Sequence, residues 1–310
     1  MPYRVEHTTD PAAFLALAEA HLAAEPVLST VVSTTLARAV SDPSPVDHPR
    51  WWAAVVDEIS GEVAGVAMRT APFRPYPLYL LPMPTAAAEA FGAWLLEHEP
   101  DVAHANGVRA SVETVLGVLA AERGTGNRVL EHDRLWEATQ VLPPSGVQGS
   151  GRPATLADLD LVTAWCLDFM PAADRQAGRP PREGEGEHLD RDYARGKIER
   201  GLMWLWEEGG EVVHLTGWNA PVLGVARVGP VYTPVEHRGH GYAAALVARV
   251  TEQILAEGAR ACLFTDVDNP VSNGVYERIG YRPVAEMVRM EVAPARESTG
   301  TTALTTPGRA

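Results

Sequence analysis

Lysine is almost missing from this chain: Lys197 is the only one, and the other 25 of its 26 basic residues are arginine. A skew of that kind reflects GC-rich codon usage and carries no functional message. Basic charge as a whole is scarce. Forty acids against 26 bases give a formal net charge of −14 and an isoelectric point near 5.2. A surface this acidic repels phosphate backbones, so no nucleic-acid partner is expected, while a cationic substrate would be tolerated or mildly attracted. Cysteine is limited to Cys166 and Cys262, both in apolar surroundings. Two small buried thiols in a reduced, cytoplasmic protein are the expectation, and two ligands are too few for a zinc site, so no metal is expected. No stretch approaches the roughly 20 apolar residues that span a bilayer, so no membrane association is expected. The first ten residues carry Arg4, Glu6 and Asp10 and no apolar signal core, which argues against export.

What the chain does have is ordinary globular composition: 310 residues, 46% hydrophobic and 21% charged. That excludes a wholly disordered chain and suits two domains. The segment 143–153, PPSGVQGSGRP, reads as a linker between an N-terminal domain at 1–142 and a C-terminal domain at 154–293. The threonine-rich tail 294–310 reads as disordered. In the C-terminal half the periodicities predict helices over 155–169 and 189–200, strands over 203–207, 211–217 and 224–232, a helix over 242–257, a strand over 261–265, a helix over 270–279 and a strand over 281–292. The Gly- and Pro-rich stretch 172–188 reads as a mobile loop. The N-terminal half loosely repeats this order. The fold class is therefore mixed α/β, helices covering a mostly antiparallel sheet in each domain.

Two motifs carry chemistry. In the first, a strand ends at Val231-Tyr232 and a loop with Arg238, Gly239, His240 and Gly241 leads into a helix at Tyr242-Ala243. Unpaired N–H groups and the dipole of a helix start favour an anion, and glycines let a bulky one approach. The same residues also fit a loose dinucleotide fingerprint, Gly239-x-Gly241-x-x-Ala244, with Asp266 after the next strand. Three features argue against that reading. Pro234 to Arg238 separate strand from glycines, the motif does not open its domain, and the 44 residues after Asp266 cannot complete a doubly wound sheet. In the second motif Asn269 caps a short helix that starts at Pro270 and stops at Gly280. Asn269, Asn273 and Tyr276 share one stripe at i, i+4 and i+7, apart from the apolar stripe Val271, Val275 and Ile279.

The ordered pair, Arg238-Gly239-His240-Gly241-Tyr242-Ala243 and Asn269 to Tyr276 followed by Gly280-Tyr281, resembles the GNAT superfamily of acetyl-CoA-dependent N-acetyltransferases over roughly residues 153–292. The resemblance implies a two-domain GNAT-like fold and acetyl-CoA as co-substrate. Backbone amides from Arg238 to Ala243 would hold the pyrophosphate. Val231 and Tyr232 would bind the pantetheine arm and polarise the acetyl carbonyl, and Asn269 and Asn273 would contact the cofactor. Tyr276 would protonate the departing thiolate after direct attack by an amine of a small molecule or peptide. Neither cysteine belongs to the motifs. The strand 226–232 lacks the acid that many family members carry there, which leaves Glu207, His214, Asp168 and Asp266 as alternatives for a general base. Trp204, Trp206 and Trp218 could line an acceptor pocket or fill the sheet core. In the N-terminal half, Leu81-Pro-Met-Pro-Thr-Ala86 stands where the glycine loop would fall, and proline removes donors; no counterpart of Tyr276 follows. That half reads as a degenerate copy. The alternative to an enzyme is a non-catalytic acyl-CoA-binding sensor or scaffold. Monomer and homodimer are both open.

Overall fold

The computed structural model of the chain describes residues 2–182, 184 and 186–293. The tail expected to be disordered lies outside these residues. Among them, no helix is long and apolar enough to cross a membrane.

The N-terminal half runs β1 (Tyr3–Thr8), α1 (Pro11–Ala24), α2 (Thr30–Ser41), β2 (Trp51–Asp57), β3 (Val63–Arg69), β4 (Leu78–Leu80), α3 (Thr85–His98), β5 (His104–Val108), α4 (Arg109–Glu122) and β6 (Asn127–Ala138). The C-terminal half runs β7 (Ser150–Pro153), α5 (Leu159–Gln176), α6 (Arg191–Glu199), β8 (Met203–Glu208), β9 (Glu211–Trp218), β10 (Val225–Tyr232), α7 (Tyr242–Ala256), β11 (Arg260–Asp266), α8 (Pro270–Arg278) and β12 (Tyr281–Val292). The order of helices and strands is the same in both halves.

Three elements escaped the sequence reading. Helix α2 is rich in Ser, Thr and Val, which are poor helix formers. It is held by burial of Val32, Leu36 and Ala39 instead. Strand β1 was not anticipated. The last four residues of the stretch read as a linker form edge strand β7, paired with β8. Helix α5 also continues through Pro171 to Gln176, so the connection to α6 begins later than expected.

The twelve strands form one sheet in the order β1-β2-β3-β4-β5-β12-β6-β11-β10-β9-β8-β7. Only β4/β5 and β10/β11 are parallel pairs. The two halves exchange their sixth strands. β12 pairs with β5 of the N-terminal half, β6 pairs with β11 of the C-terminal half, and β6 and β12 lie antiparallel at the centre. The cores follow the exchange. Val288 and Met290 of β12 join Leu78, Phe91 and Leu116 in the N-terminal core. Trp136 and Ala138 of β6 join Val247, Leu263 and Tyr281 in the C-terminal core. The Trp136 indole N–H donates to the Thr265 hydroxyl at 2.8 Å, which satisfies a buried donor across the exchanged pair.

Neither half is complete by itself. Residues 154–293 expressed alone would leave β11 as a bare edge and a Trp-sized void, a loss of roughly 3–5 kcal/mol from that side chain alone. The fragment is expected to be insoluble alone and to co-purify as a soluble complex when co-expressed with residues 1–142. A cooperative thermal transition from the isolated fragment would contradict this.

Candidate functional site

Strands β10 and β11 pair only through Val225–Arg227 with Arg260–Cys262. Beyond that they part, helped by a register shift between Val228 and Val231 against β9. The parted ends, including Val231, Tyr232, Leu263 and Thr265, line a cleft of about 940 Å³. On its far side Val231 and Tyr232 pair with Thr216 and Leu215 of β9, so their β11-facing edge is the one left for a ligand.

The glycine loop closes one end of this cleft. Gly239 and Gly241 have φ of +86° and +85°, a region that L side chains rarely adopt. Gly241 is the N-cap of α7 and makes no side-chain cap hydrogen bond. The first amides of α7 therefore have neither an intrahelical nor a side-chain partner. Arg238, Gly239, His240, Gly241, Tyr242 and Ala243 all line the cleft. Side-chain contacts brace the loop. Arg238 Nε donates to the Thr233 carbonyl at 3.0 Å, His240 stacks on Tyr242 at 5.3 Å, and the Tyr242 hydroxyl donates to Glu208. Ser145, Gly146 and Val147, from the stretch read as a linker, form part of the same wall, with Val147 against Gly241.

Helix α8 forms the opposite wall. The Asn269 side chain accepts from the Ser272 amide at 3.1 Å, capping the helix, and the residue lines the cleft. Tyr276 is buried and also lines the cleft, packed edge-on against Tyr281 at 5.9 Å. Burial pushes its phenol up to about 12, against a weaker opposing hydrogen bond with Ser272, so it is protonated across the neutral range. Asn273 is placed differently from expectation. It does not line the cleft. Its Nδ2 donates to the carbonyls of Asp266 and Val267, both at 3.1 Å, and its Oδ1 accepts from Thr265, so it pins the end of β11 to α8.

The four general-base alternatives separate clearly. Glu207 is tied to Arg152 at 2.8 Å, outside the cleft. His214 is fully buried with both ring nitrogens engaged, by Thr233 at 2.7 Å and Thr216 at 2.9 Å, and burial lowers its pKa to about 3. It is a structural neutral imidazole. Asp168 accepts from the Tyr232 hydroxyl and from Arg175, both at 2.7 Å, behind the cleft wall. Of the four only Asp266 lines the cleft, where Arg179 holds it at 2.5 Å. The tryptophans are sheet core. Trp204 and Trp218 pack beneath α7, Trp206 donates to the Gln148 carbonyl at 2.8 Å, and none lines the cleft.

Sequence reasoning missed a further carboxylate. Asp133 lines the same cleft, from β6. It lies opposite Asp266 of β11 and Met287 of β12. Desolvation raises its pKa well above the ordinary carboxylate range, and the charges of Glu131 and Asp266 add to this. Nothing in the local pattern Glu131-His132-Asp133 marks it. It reaches the site only through the strand exchange.

The N-terminal copy has no equivalent loop. Helix α3 starts after Pro84 without a side-chain cap, and the Met83 amide donates to the Ser111 hydroxyl at 3.1 Å.

Comparison with known proteins agrees with this geometry. Residues 208–290, from the end of β8 into β12, match the family described as FR47-like protein. No curated protein matches the chain in sequence. Among solved structures, a GCN5-related N-acetyltransferase from Sphaerobacter thermophilus is 18% identical, with 94% of this chain and 96% of that one covered at a TM-score of 0.58. A Drosophila protein is 12% identical over 94% of this chain and 99% of that one, at a TM-score of 0.59. A GNAT-family acetyltransferase from Colwellia psychrerythraea is 14% identical over 94% of this chain and 100% of that one, at 0.53. Identities this low speak to the fold alone. The FR47-like match falls on the glycine loop and α8, and the chain shares its fold along nearly its whole length with structures described as GCN5-related or GNAT-family acetyltransferases.

Proposed function

We propose that the chain is an acyl-CoA-dependent N-acetyltransferase, with acetyl-CoA as donor and an amine of a small molecule or peptide as acceptor. One observation carries this reading: uncapped amides of α7, the unpaired edge of β10 and the Tyr276 phenol line a single cleft. The donor set fits the co-substrate. A diphosphate suits the dipole and free N–H groups at Gly241–Ala243. An amide-bearing arm suits the edge of Val231 and Tyr232. A thioester carbonyl near that edge is polarised by backbone N–H, which stabilises charge as it develops on oxygen. The amine nitrogen attacks the carbonyl carbon directly, and Tyr276 gives its proton to the sulfur as the carbon–sulfur bond breaks. Asn273 takes part only by holding α8 against β11.

The competing idea of a non-catalytic acyl-CoA sensor leaves the buried, protonated phenol without a task. The test is release of free CoA from acetyl-CoA in the presence of an amine panel, followed by thiol colorimetry. Amine-dependent release is the expected result. Tight acetyl-CoA binding by calorimetry with no release over the whole panel would favour the sensor instead.

A further inference from the structure

We propose that Asp133, carried into the cleft by exchanged strand β6, is the general base of the acceptor site, and that the acceptor is an alkyl ammonium bearing a hydroxyl a few bonds from its nitrogen. This rests on the transferase reading above and names the acceptor class it leaves open.

The cleft does not end at the parted strands. It continues past Asp266 to Asp133 and Glu131 of β6, Arg289 of β12, Asn106 of β5 and Tyr79 of β4. Three carboxylates gather there. Two are neutralised by the connection after α5. Arg179 pairs with Asp266 at 2.5 Å and Glu131 at 3.1 Å, and Arg182 pairs with Glu131 and with Asp174 of α5, both at 2.8 Å. Arg289 also approaches Glu131, at 3.8 Å. Among the described residues, Arg179 and Arg182 act on Asp133 through space while their direct ion pairs go to Asp266, Glu131 and Asp174. Asp133 is flanked by two other carboxylates and is reached by Arg179 and Arg182 only through space, and a cationic amine would give it a direct partner.

The second observation is independent of charge. Tyr79 and Asn106 are register partners on the parallel pair β4/β5. The Tyr79 hydroxyl and Asn106 Oδ1 are both buried with no hydrogen-bond partner, and both residues line the cleft. Unsatisfied buried groups of this kind cost roughly 1–3 kcal/mol each. One ligand hydroxyl, which donates and accepts, would satisfy both. Tyr79 and Asp133 line the same cleft, so the hydroxyl and the ammonium belong to one small acceptor.

The proton account closes. Asp133 takes one proton from the ammonium. The neutral nitrogen attacks the thioester carbon, so a carbon–nitrogen bond forms and the carbon–sulfur bond breaks. Tyr276 protonates the sulfur, the second nitrogen proton restores the phenol, and Asp133 releases its proton to water. The sum is one amide, one thiol and one free proton.

The test uses steady-state kinetics on the full chain with acetyl-CoA and two length-matched pairs: propanolamine against butylamine, and pentanolamine against hexylamine. The parent is expected to prefer the hydroxylated member of each pair by about tenfold in kcat/KM. Asp133→Asn is expected to lose about a hundredfold or more in kcat/KM near neutral pH, with unchanged acetyl-CoA affinity by calorimetry. That deficit should shrink by about tenfold per pH unit as the amine deprotonates in solution, which a folding defect would not imitate. Tyr79→Phe should erase the hydroxyl preference, bringing the two members of each pair to within about twofold in kcat/KM. Parental kinetics in Asp133→Asn, a pH-independent deficit, or a parent that binds acetyl-CoA but acetylates none of the four amines would overturn the proposal. Failure of the parent to bind acetyl-CoA at all would instead remove the transferase reading, and this one with it.

Discussion

Tyr276→Phe is expected to lower kcat by about 10²–10⁴-fold while leaving acetyl-CoA affinity unchanged. The ring and the hydroxyl have separable tasks. The ring is core: it packs on Tyr281 and belongs to the apolar cluster with Val247 and Ile279. Phenylalanine keeps that packing and removes only one oxygen, so a large stability change is not expected. The hydroxyl holds the proton that a thiolate must receive. With its pKa pushed up to about 12 by burial, the phenol is a protonated donor at any pH the fold normally meets. Its deprotonation therefore sets no alkaline limb below about pH 11, and any fall in rate at lower pH has another source. Calorimetry and stopped-flow thiol detection separate the two effects. A variant with parental kcat would refute the general-acid role, and a variant with lost affinity would show that the phenol serves binding.

Gly241→Pro is expected to weaken acetyl-CoA binding by at least about a hundredfold. Proline holds φ near −65°, and this residue sits at +85°. A Cβ here would also lie 3.1 Å from Val147 Cγ2, so the loop must move. Misplacing two charge-assisted amide contacts, at roughly 1.5–3 kcal/mol each, is enough for the predicted loss. Gly239→Ala is the matched control. Its φ is +86°, yet an added Cβ meets nothing within 4 Å. That change should cost about 1–2 kcal/mol of backbone strain in thermal unfolding and keep acetyl-CoA affinity within about tenfold. Equal affinities for Gly241→Pro and the parent would sink the loop assignment.

The parts of the site that could be read from the chain are those whose geometry is local. Gly239 and Gly241 before α7, and the stripe from Asn269 to Tyr276 on α8, depend on residues a few positions apart, and turn and helix periodicity translate them into space. Even so, Asn273 shares that stripe with Tyr276 and turns away to the backbone of β11. Periodicity assigns a face and does not say what the face meets. Two of the four general-base alternatives lie away from the cleft for a related reason. Strand proximity suggested His214, whose ring is sealed between two threonines, and Glu207, which Arg152 had already claimed.

By itself, then, the sequence determined an acidic α/β chain with a repeated order of elements, a glycine-led helix start and a phenol placed seven residues after its helix cap. Tertiary structure alone decided that the halves trade strands β6 and β12, and with them which residues meet in the cleft. Pairing Asp133 with Asp266, or Trp136 with Leu263, joins positions more than 120 residues apart. No period of two or 3.6 encodes such a choice. It is made by the apolar surface that β6 buries against α7 and β11, and by the backbone donors that an unpaired β11 edge would otherwise leave exposed.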